Sequence, residues 1–186
     1  MDARVDLTDL IHRAEKGDAD AADRLFAATY AELRRLARRR LVAGGRSALL
    51  DTGSLVHESY LRFATAGDLK IEDRVHFLRW AGHVMRSVIV DFARRRTAER
   101  RGGGADHVAL TTAVADERSG NAEEILAVHE ALDELAAADV RLAQVVELRY
   151  FGGLTELEIA EALGVTERTV RRDWQKGQLL LRAALE

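Results

Sequence analysis

The 186-residue chain contains no cysteine and no proline. Without thiols, disulfides and thiolate metal sites are excluded, and nothing argues for an oxidising compartment. The absence of proline, with Ala, Leu, Arg and Glu abundant, favours an all-α protein. No apolar run approaches the ~20 residues that span a bilayer, and the acidic start does not resemble a signal peptide. A soluble, cytoplasmic protein without membrane insertion is therefore expected. No internal repeat and no sustained strand alternation is present. Nor is there an excess of positive charge: 28 Lys and Arg stand against 31 Asp and Glu, a net charge of −3.

That average hides a strong segregation. Residues 86–101 hold Arg86, Arg94, Arg95, Arg96, Arg100 and Arg101 against only Asp91 and Glu99. Between Asp106 and Asp139, nine carboxylates face Arg118 alone. Local patches rather than the total govern binding to a polyanion, so the net charge does not exclude a nucleic-acid partner.

What is present is clearest in residues 154–181, LTELEIAEALGVTERTVRRDWQKGQLLL. Thr155 followed three residues later by Glu158 is a capping box, and it starts a helix through Ile159, Ala160 and Leu163. Gly164 permits a left-handed stop. Val165 plugs the turn, Thr166 caps a second helix, and Val170 and Trp174 form that helix's inner face. Small Ala160 lets the two helices cross closely, as a helix-turn-helix requires. The outer face presents Arg168, Arg171, Arg172, Gln175 and Lys176, a strip suited to phosphates and guanine edges.

Ahead of this motif the period is helical throughout. A short helix starts near Thr8 and ends near Gly17, and a longer one runs from about Asp20 to Val42. Five arginines (34, 35, 38, 39 and 40) crowd the latter's C-terminal half, where the helix dipole favours cations. A third helix covers about 51–66, with Leu55, Val56, Tyr60 and Phe63 as an apolar stripe. The longest, capped by Asp73, repeats apolar residues from Phe77 to Phe92, leaves its core at Arg94-Arg95-Arg96 and ends at Gly102. From Gly102 to about Asn121 neither period holds, and Gly, Asp, Ser and Thr predict a linker. Helices over about 122–137 and 139–150 precede the motif. The expectation is two helical domains, 1–101 and 122–186, joined by a flexible linker over 102–121.

In this order the parts resemble an extracytoplasmic-function (ECF) sigma factor, a bacterial transcription-initiation subunit. The likeness rests on LTELEIAEALGVTERTVRRDWQKGQLLLRAAL, similar to the sigma-four DNA-binding helices. It rests also on SLVHESYLRFA followed by HFLRWAGHVMRSVIVDFARRR, similar to the core-binding and promoter-melting helices of a sigma-two bundle. The resemblance implies core RNA polymerase and promoter DNA as partners, with no cofactor, no metal and no catalysis. The third helix would meet core polymerase through Leu55, Val56, Glu58, Ser59 and Arg62. Around the longest helix, Lys70, His76, Arg79, Trp80, His83 and Arg86 would handle the single-stranded −10 element. Trp80 stands in register with Phe77 and Val84, which favours a core position over base stacking. Arg94, Arg95 and Arg96 would hold phosphates. The −35 element would fall to Thr166, Arg168, Thr169, Arg171, Arg172, Gln175 and Lys176. Twenty linker residues extend at most ~66–72 Å, enough with two domain widths to join elements about two helical turns apart.

One departure from the family pattern concerns regulation. Relatives usually carry an acidic cluster before the Leu-Val of the core-binding helix, whereas this chain reads Asp51-Thr52-Gly53-Ser54. Helix capping is one explanation. The other is that phosphorylation of Thr52 or Ser54 by a Ser/Thr kinase restores the charge, adding about −1.5 to −2 at a helix N-terminus. An anti-sigma factor is the alternative regulatory partner. Two other functions compete with this reading. A metal enzyme would recruit His57, Glu58, His76 and His83, but no HExxH or acidic triad accompanies them. A helix-turn-helix repressor or activator would bind its operator without being a polymerase subunit.

Overall fold

A computed structural model describes residues 7–43, 51–65, 71–101 and 112–185. Among these residues there are eight α-helices and no strand. They are α1 (Leu7–Glu15), α2 (Ala19–Ala43), α3 (Thr52–Thr65), α4 (Arg74–Arg101), α5 (Thr112–Ala138), α6 (Val140–Tyr150), α7 (Glu156–Leu163) and α8 (Glu167–Leu185). No helix among the described residues is long and apolar enough to cross a membrane. Lys70, Gly44-Gly45 and Gly102-Gly103-Gly104 lie outside the described residues.

Carboxylates start four of the helices. Asp18 Oδ1 accepts from Ala21 N at 3.0 Å, and Asp51 Oδ1 from Ser54 N at 3.0 Å. Asp73 Oδ1 accepts from His76 N at 2.7 Å, and Asp139 Oδ1 from Leu142 N at 3.1 Å. Each satisfies an amide left orphaned in the first turn and sets a negative charge at the positive end of the helix dipole.

The longest helix, α4, organises the rest. One stripe facing one neighbouring layer would bury residues three and four apart. Here consecutive residues are buried: Phe77 with Leu78, Val84 with Met85, and Val88 with Ile89 and Val90. So wide an apolar arc means that α4 is covered from more than one side. On one side Phe77 and Trp80 meet Phe63 of α3, with ring centroids 6.4 and 5.2 Å apart. Leu78, Gly82, Arg86 and Val90, spaced four apart, share another face. On that face a Cβ at Gly82 would lie 2.5 Å from Leu148 Cδ2, so any larger residue there would have to displace the buried Leu148 side chain where α6 crosses α4.

The buried residues form one continuous core from Leu7 in α1 to Val170 in α8. The two halves are packed against each other, with α4 against α5, α6 and α7 as well as α3. Of the expected linker, only 112–121 lie among the described residues. Residues 112–121 are helical, as the first turns of α5. Once residues 122–138 are packed as helix, extending it N-terminally needs no new nucleation, and Ala113, Ala115, Glu117 and Arg118 are good helix formers. Those ten positions advance ~15 Å as helix rather than the ~35 Å of an extended chain, which shortens the reach between the halves.

Candidate nucleic-acid interface

The helix-turn-helix forms from α7 and α8 as its residues dictate. Thr155 Oγ1 accepts from Glu158 N at 3.3 Å, and Glu158 Oε2 accepts from Thr155 N at 2.9 Å. Gly164 closes α7 in the left-handed region, at φ 66°, with its N–H returned to α7 carbonyls. A residue with a Cβ would be strained there. Thr166 Oγ1 accepts from Thr169 N at 3.2 Å and opens α8. Val170, Asp173 and Gly177 are buried on the inner side of α8, while Arg168, Arg171, Arg172, Gln175 and Lys176 are exposed on the outer side. Trp174 is half-buried, with the Arg149 guanidinium 6.0 Å from its ring centroid.

Two of the outer arginines are held in place by carboxylates. Arg171 lies 2.9 Å from Glu156, a hydrogen-bonded ion pair that raises its pKa further. Arg172 lies 3.2 Å from Asp173, which is itself buried and paired with Arg141 at 2.9 Å. Arg168 and Gln175 have no side-chain partner among the described residues. The strip is open to solvent and projects from one rigid helix.

The second cationic group follows α4. His76 and Arg79 are exposed, Trp80 is half-buried in the aromatic cluster, and Arg94 and Arg95 are exposed with Arg96 half-buried. Several of these residues are engaged by the C-terminal half. Arg79 Nε donates to Ala162 O in α7. Arg86, 9% exposed, donates to Glu147 Oε2 at 2.9 Å and Asp133 Oδ1 at 2.5 Å. His83 Nδ1 lies 3.1 Å from Glu147 Oε1, and this hydrogen bond raises the His83 pKa above its ordinary value. Burial opposes ionisation of Glu147, yet His83 and Arg86 together hold its carboxyl below the usual range. His129 of α5 lies between Arg86 and Arg94, and burial, then the Arg86 charge, lowers its pKa. His83, Arg86, Arg94, His129 and Asp133, with Ser87 and Asp91, line a hollow of about 270 Å³.

The N-terminus of α3 departs from expectation. Leu55 and Val56 are 0% and 1% exposed, and Ser59 is buried. The apolar stripe expected to face a polymerase is turned inward, because α3 packs between α2 and α4 and both draw on it. Arg62 is also engaged, donating to Ser87 Oγ and to Asp91 Oδ2 at 2.7 Å. Glu58 is half-exposed, and its neighbours His57 and Leu61 are exposed. At the helix start the cap is Asp51, not Thr52 or Ser54. Ser54 Oγ donates to Asp51 Oδ2 at 2.6 Å, and that bond lowers the Asp51 pKa.

Sequence reasoning missed what the α2 arginines do. Arg35 and Arg39 reach Glu158 of α7 at 2.7 and 2.8 Å, and Arg74 stands 3.6 Å from the same carboxylate. Arg40 is buried, with its guanidinium 4.6 Å from the centroid of the Tyr150 ring. Only Arg34 and Arg38 face solvent without a partner among the described residues, lining a shallow hollow with Tyr30. Glu158 is 8% exposed; burial opposes its charge, but the Thr155 N–H and the Arg35 guanidinium hold its pKa below the usual range. The available signal was the capping box itself, which fixes Glu158 without revealing its second set of partners.

Comparison with known proteins adds one match: the model of a family described as ECF sigma factor covers residues 4–186. Searches of curated proteins and of solved structures each found no match.

Proposed function

The chain belongs to the ECF sigma factor family, whose members direct transcription initiation, and from that premise we propose how its parts divide the work. The outer face of α8 reads the −35 element in the major groove. Arg171 and Arg172 contact base edges, Arg168 and Lys176 contact bases or phosphates, and Thr166, Thr169 and Gln175 complete the contact surface. The single observation that carries this is the division of α8, with Val170, Asp173 and Gly177 buried and the whole basic strip outward.

The −10 element falls to α4 and the residues before it. Lys70, His76, Arg79, Trp80, His83 and Arg86 hold the separated strand. Arg94, Arg95 and Arg96 neutralise phosphates and supply affinity rather than sequence choice. Residues 1–101 and 122–186 act as two units on the two promoter elements. The core polymerase is met at α3 by its outward edge, including Glu58, with Leu55, Val56, Ser59 and Arg62 keeping the helix in register from within.

Regulation acts through an anti-sigma factor, or through a Ser/Thr kinase at the start of α3. Of the two hydroxyls, Thr52 is the better acceptor. Ser54 Oγ is bonded to Asp51 at 2.6 Å, so a phosphate there would confront a carboxylate. At Thr52, the first residue of α3, a phosphate would face the positive end of the helix dipole.

The test is run-off transcription with core polymerase and a genomic promoter library. Discrete start sites that require this chain support the reading. Binding of an operator without retention of core polymerase would replace it with a repressor or activator.

A further inference from the structure

We propose that the hollow between α4 and α5 is a binding site for a small phosphorylated, hydroxyl-bearing molecule such as a sugar phosphate, its phosphate held between His129 and Arg94. This site is additional to the promoter contacts, with which it shares His83, Arg86 and Arg94. The hollow measures about 270 Å³ and is lined by side chains of both helices. Pockets for drug-sized ligands run to ~300–1,000 Å³, so this one suits a smaller molecule.

His129 calls for an anion. Its Nδ1 lies 2.5 Å from Arg86 Nη2, and its Nε2 lies 3.2 Å from Arg94 Nη2. A guanidinium only donates, and a neutral imidazole accepts at one nitrogen alone. The shorter contact takes the lone pair of Nδ1, which leaves the proton on Nε2 and sets N–H against N–H at Arg94. Arg94 has no carboxylate partner among the described residues, whereas Arg86 is paired with Asp133 at 2.5 Å and Asp91 with Arg62 at 2.7 Å. Two donors 3.2 Å apart both reach one oxyanion oxygen at ~2.8 Å. A phosphate there turns the conflict into two charge-assisted hydrogen bonds.

The acceptors of the hollow decide what else the ligand carries. Ser87, Asp91 and Asp133 line it too. The Asp91 and Asp133 side chains keep 40% and 60% of their surface exposed, so both retain lone pairs for a ligand. Carboxylates repel a strand that bears a phosphate on every unit, but they accept well from the hydroxyls of a sugar. One phosphate and several hydroxyls match both sets of groups at once. Burial, Arg86 and Arg94 lower the His129 pKa, against the opposing pull of Asp133 and Glu130. His83, beside Glu147 of α6, is raised instead. A phosphate at Nε2 favours the charged imidazole, so it should draw the His129 pKa upward.

The test is calorimetric titration of the full-length protein with ribose 5-phosphate, inorganic phosphate and ribose, with the His129 ring followed by NMR. Ribose 5-phosphate should fill one site per chain and, at saturation, raise the His129 titration midpoint. Inorganic phosphate should bind there about tenfold more weakly for want of the hydroxyl contacts, and ribose should not bind measurably. His129→Gln should weaken ribose 5-phosphate about tenfold, the loss of one hydrogen bond to a charged group. Ser87→Met, at a half-exposed wall position, should block the hollow while leaving helicity unchanged.

Absence of saturable ribose 5-phosphate binding overturns the proposal. So does binding that leaves the His129 midpoint unmoved and that Ser87→Met does not weaken. Equal affinity for inorganic phosphate overturns the sugar phosphate as the class of ligand. A single-stranded oligonucleotide that shifts the His129 resonances where ribose 5-phosphate does not would make the occupant a nucleic acid and overturn the proposal likewise.

Discussion

Glu147→Gln tests the contact between the halves at its most enclosed ion pair. The Arg86 and Glu147 side chains are only 11% and 17% exposed, with 2.9 Å between Nη1 and Oε2. Removing one partner of a buried pair costs about 3–5 kcal/mol. Two features reduce that here. The Gln carbonyl still accepts from Arg86, retaining about 1 kcal/mol, and Asp133 at 2.5 Å still balances the guanidinium. The second partner, His83, is 73% exposed in its side chain, so its share is that of a surface pair, below about 1 kcal/mol. The net loss should be about 2 kcal/mol, measured by urea unfolding. His83 binds its proton more tightly in the folded chain, so its contribution is complete below the free value of 6.5 and fades as pH rises through the raised folded value. Glu147 holds its proton less tightly, so its contribution is complete above 4.5 and is lost as pH falls through the lowered folded value. His129, held down by burial and Arg86, and Asp133 are the other titrating groups at this contact. The gap between natural chain and variant should therefore be widest between those two limits. It should shrink slightly on the alkaline side and almost fully on the acid side. A variant within about 0.5 kcal/mol of the natural chain at every pH, the scatter of an ordinary surface change, with His83 titrating as before, would refute the reasoning.

Three further outcomes are expected. Arg171→Ala and Arg172→Ala should each relax −35 sequence choice by about 1–3 kcal/mol per lost base contact, and equal binding of matched and scrambled −35 duplexes would refute the assignment. Replacing Arg94, Arg95 and Arg96 together with Ala should lower DNA affinity without altering promoter choice. The slope of log affinity against log salt should become shallower by roughly 0.7–0.9 per lost phosphate contact, and an unchanged slope counts against that role. Thr52→Glu should strengthen the complex with core polymerase if charge at the start of α3 is what the partner recognises. Helicity measured alongside separates a contact from a capping effect, and a natural, unmodified chain that already binds core tightly and transcribes fully would exclude a phosphorylation switch.

How much was legible beforehand depended on whether the governing interactions were local. The bounds of α1 to α4 and of α6 to α8 follow from caps and from apolar spacing of three and four, because both act within a few residues. The capping box at Thr155 and Glu158 and the left-handed Gly164 are where the sequence places them. The start of α5 was not legible, since Gly, Asp, Ser and Thr after Gly102 suggest a break. Whether the last of them join a helix depends on a packed segment farther along. The stripe Leu55-Val56 was visible as apolar, but no local pattern tells whether α3 buries it in its own protein or offers it to another.

Sequence alone determined the helical class, the helix-turn-helix, the basic outer face of α8 and the family likeness, because each is a matter of residue type at fixed spacing along one helix. Tertiary structure decided that α4 is covered from both sides, that Gly82 is the crossing point with Leu148, and that Arg35, Arg39, Arg74 and Arg86 spend their charge on Glu158, Glu147 and Asp133. A charged residue's period assigns it a helix face, but not the partner that face will meet. The Arg39 and Glu158 side chains are 119 positions apart in the chain, and only the packing of α7 across α2 and α4 brings them within hydrogen-bonding distance.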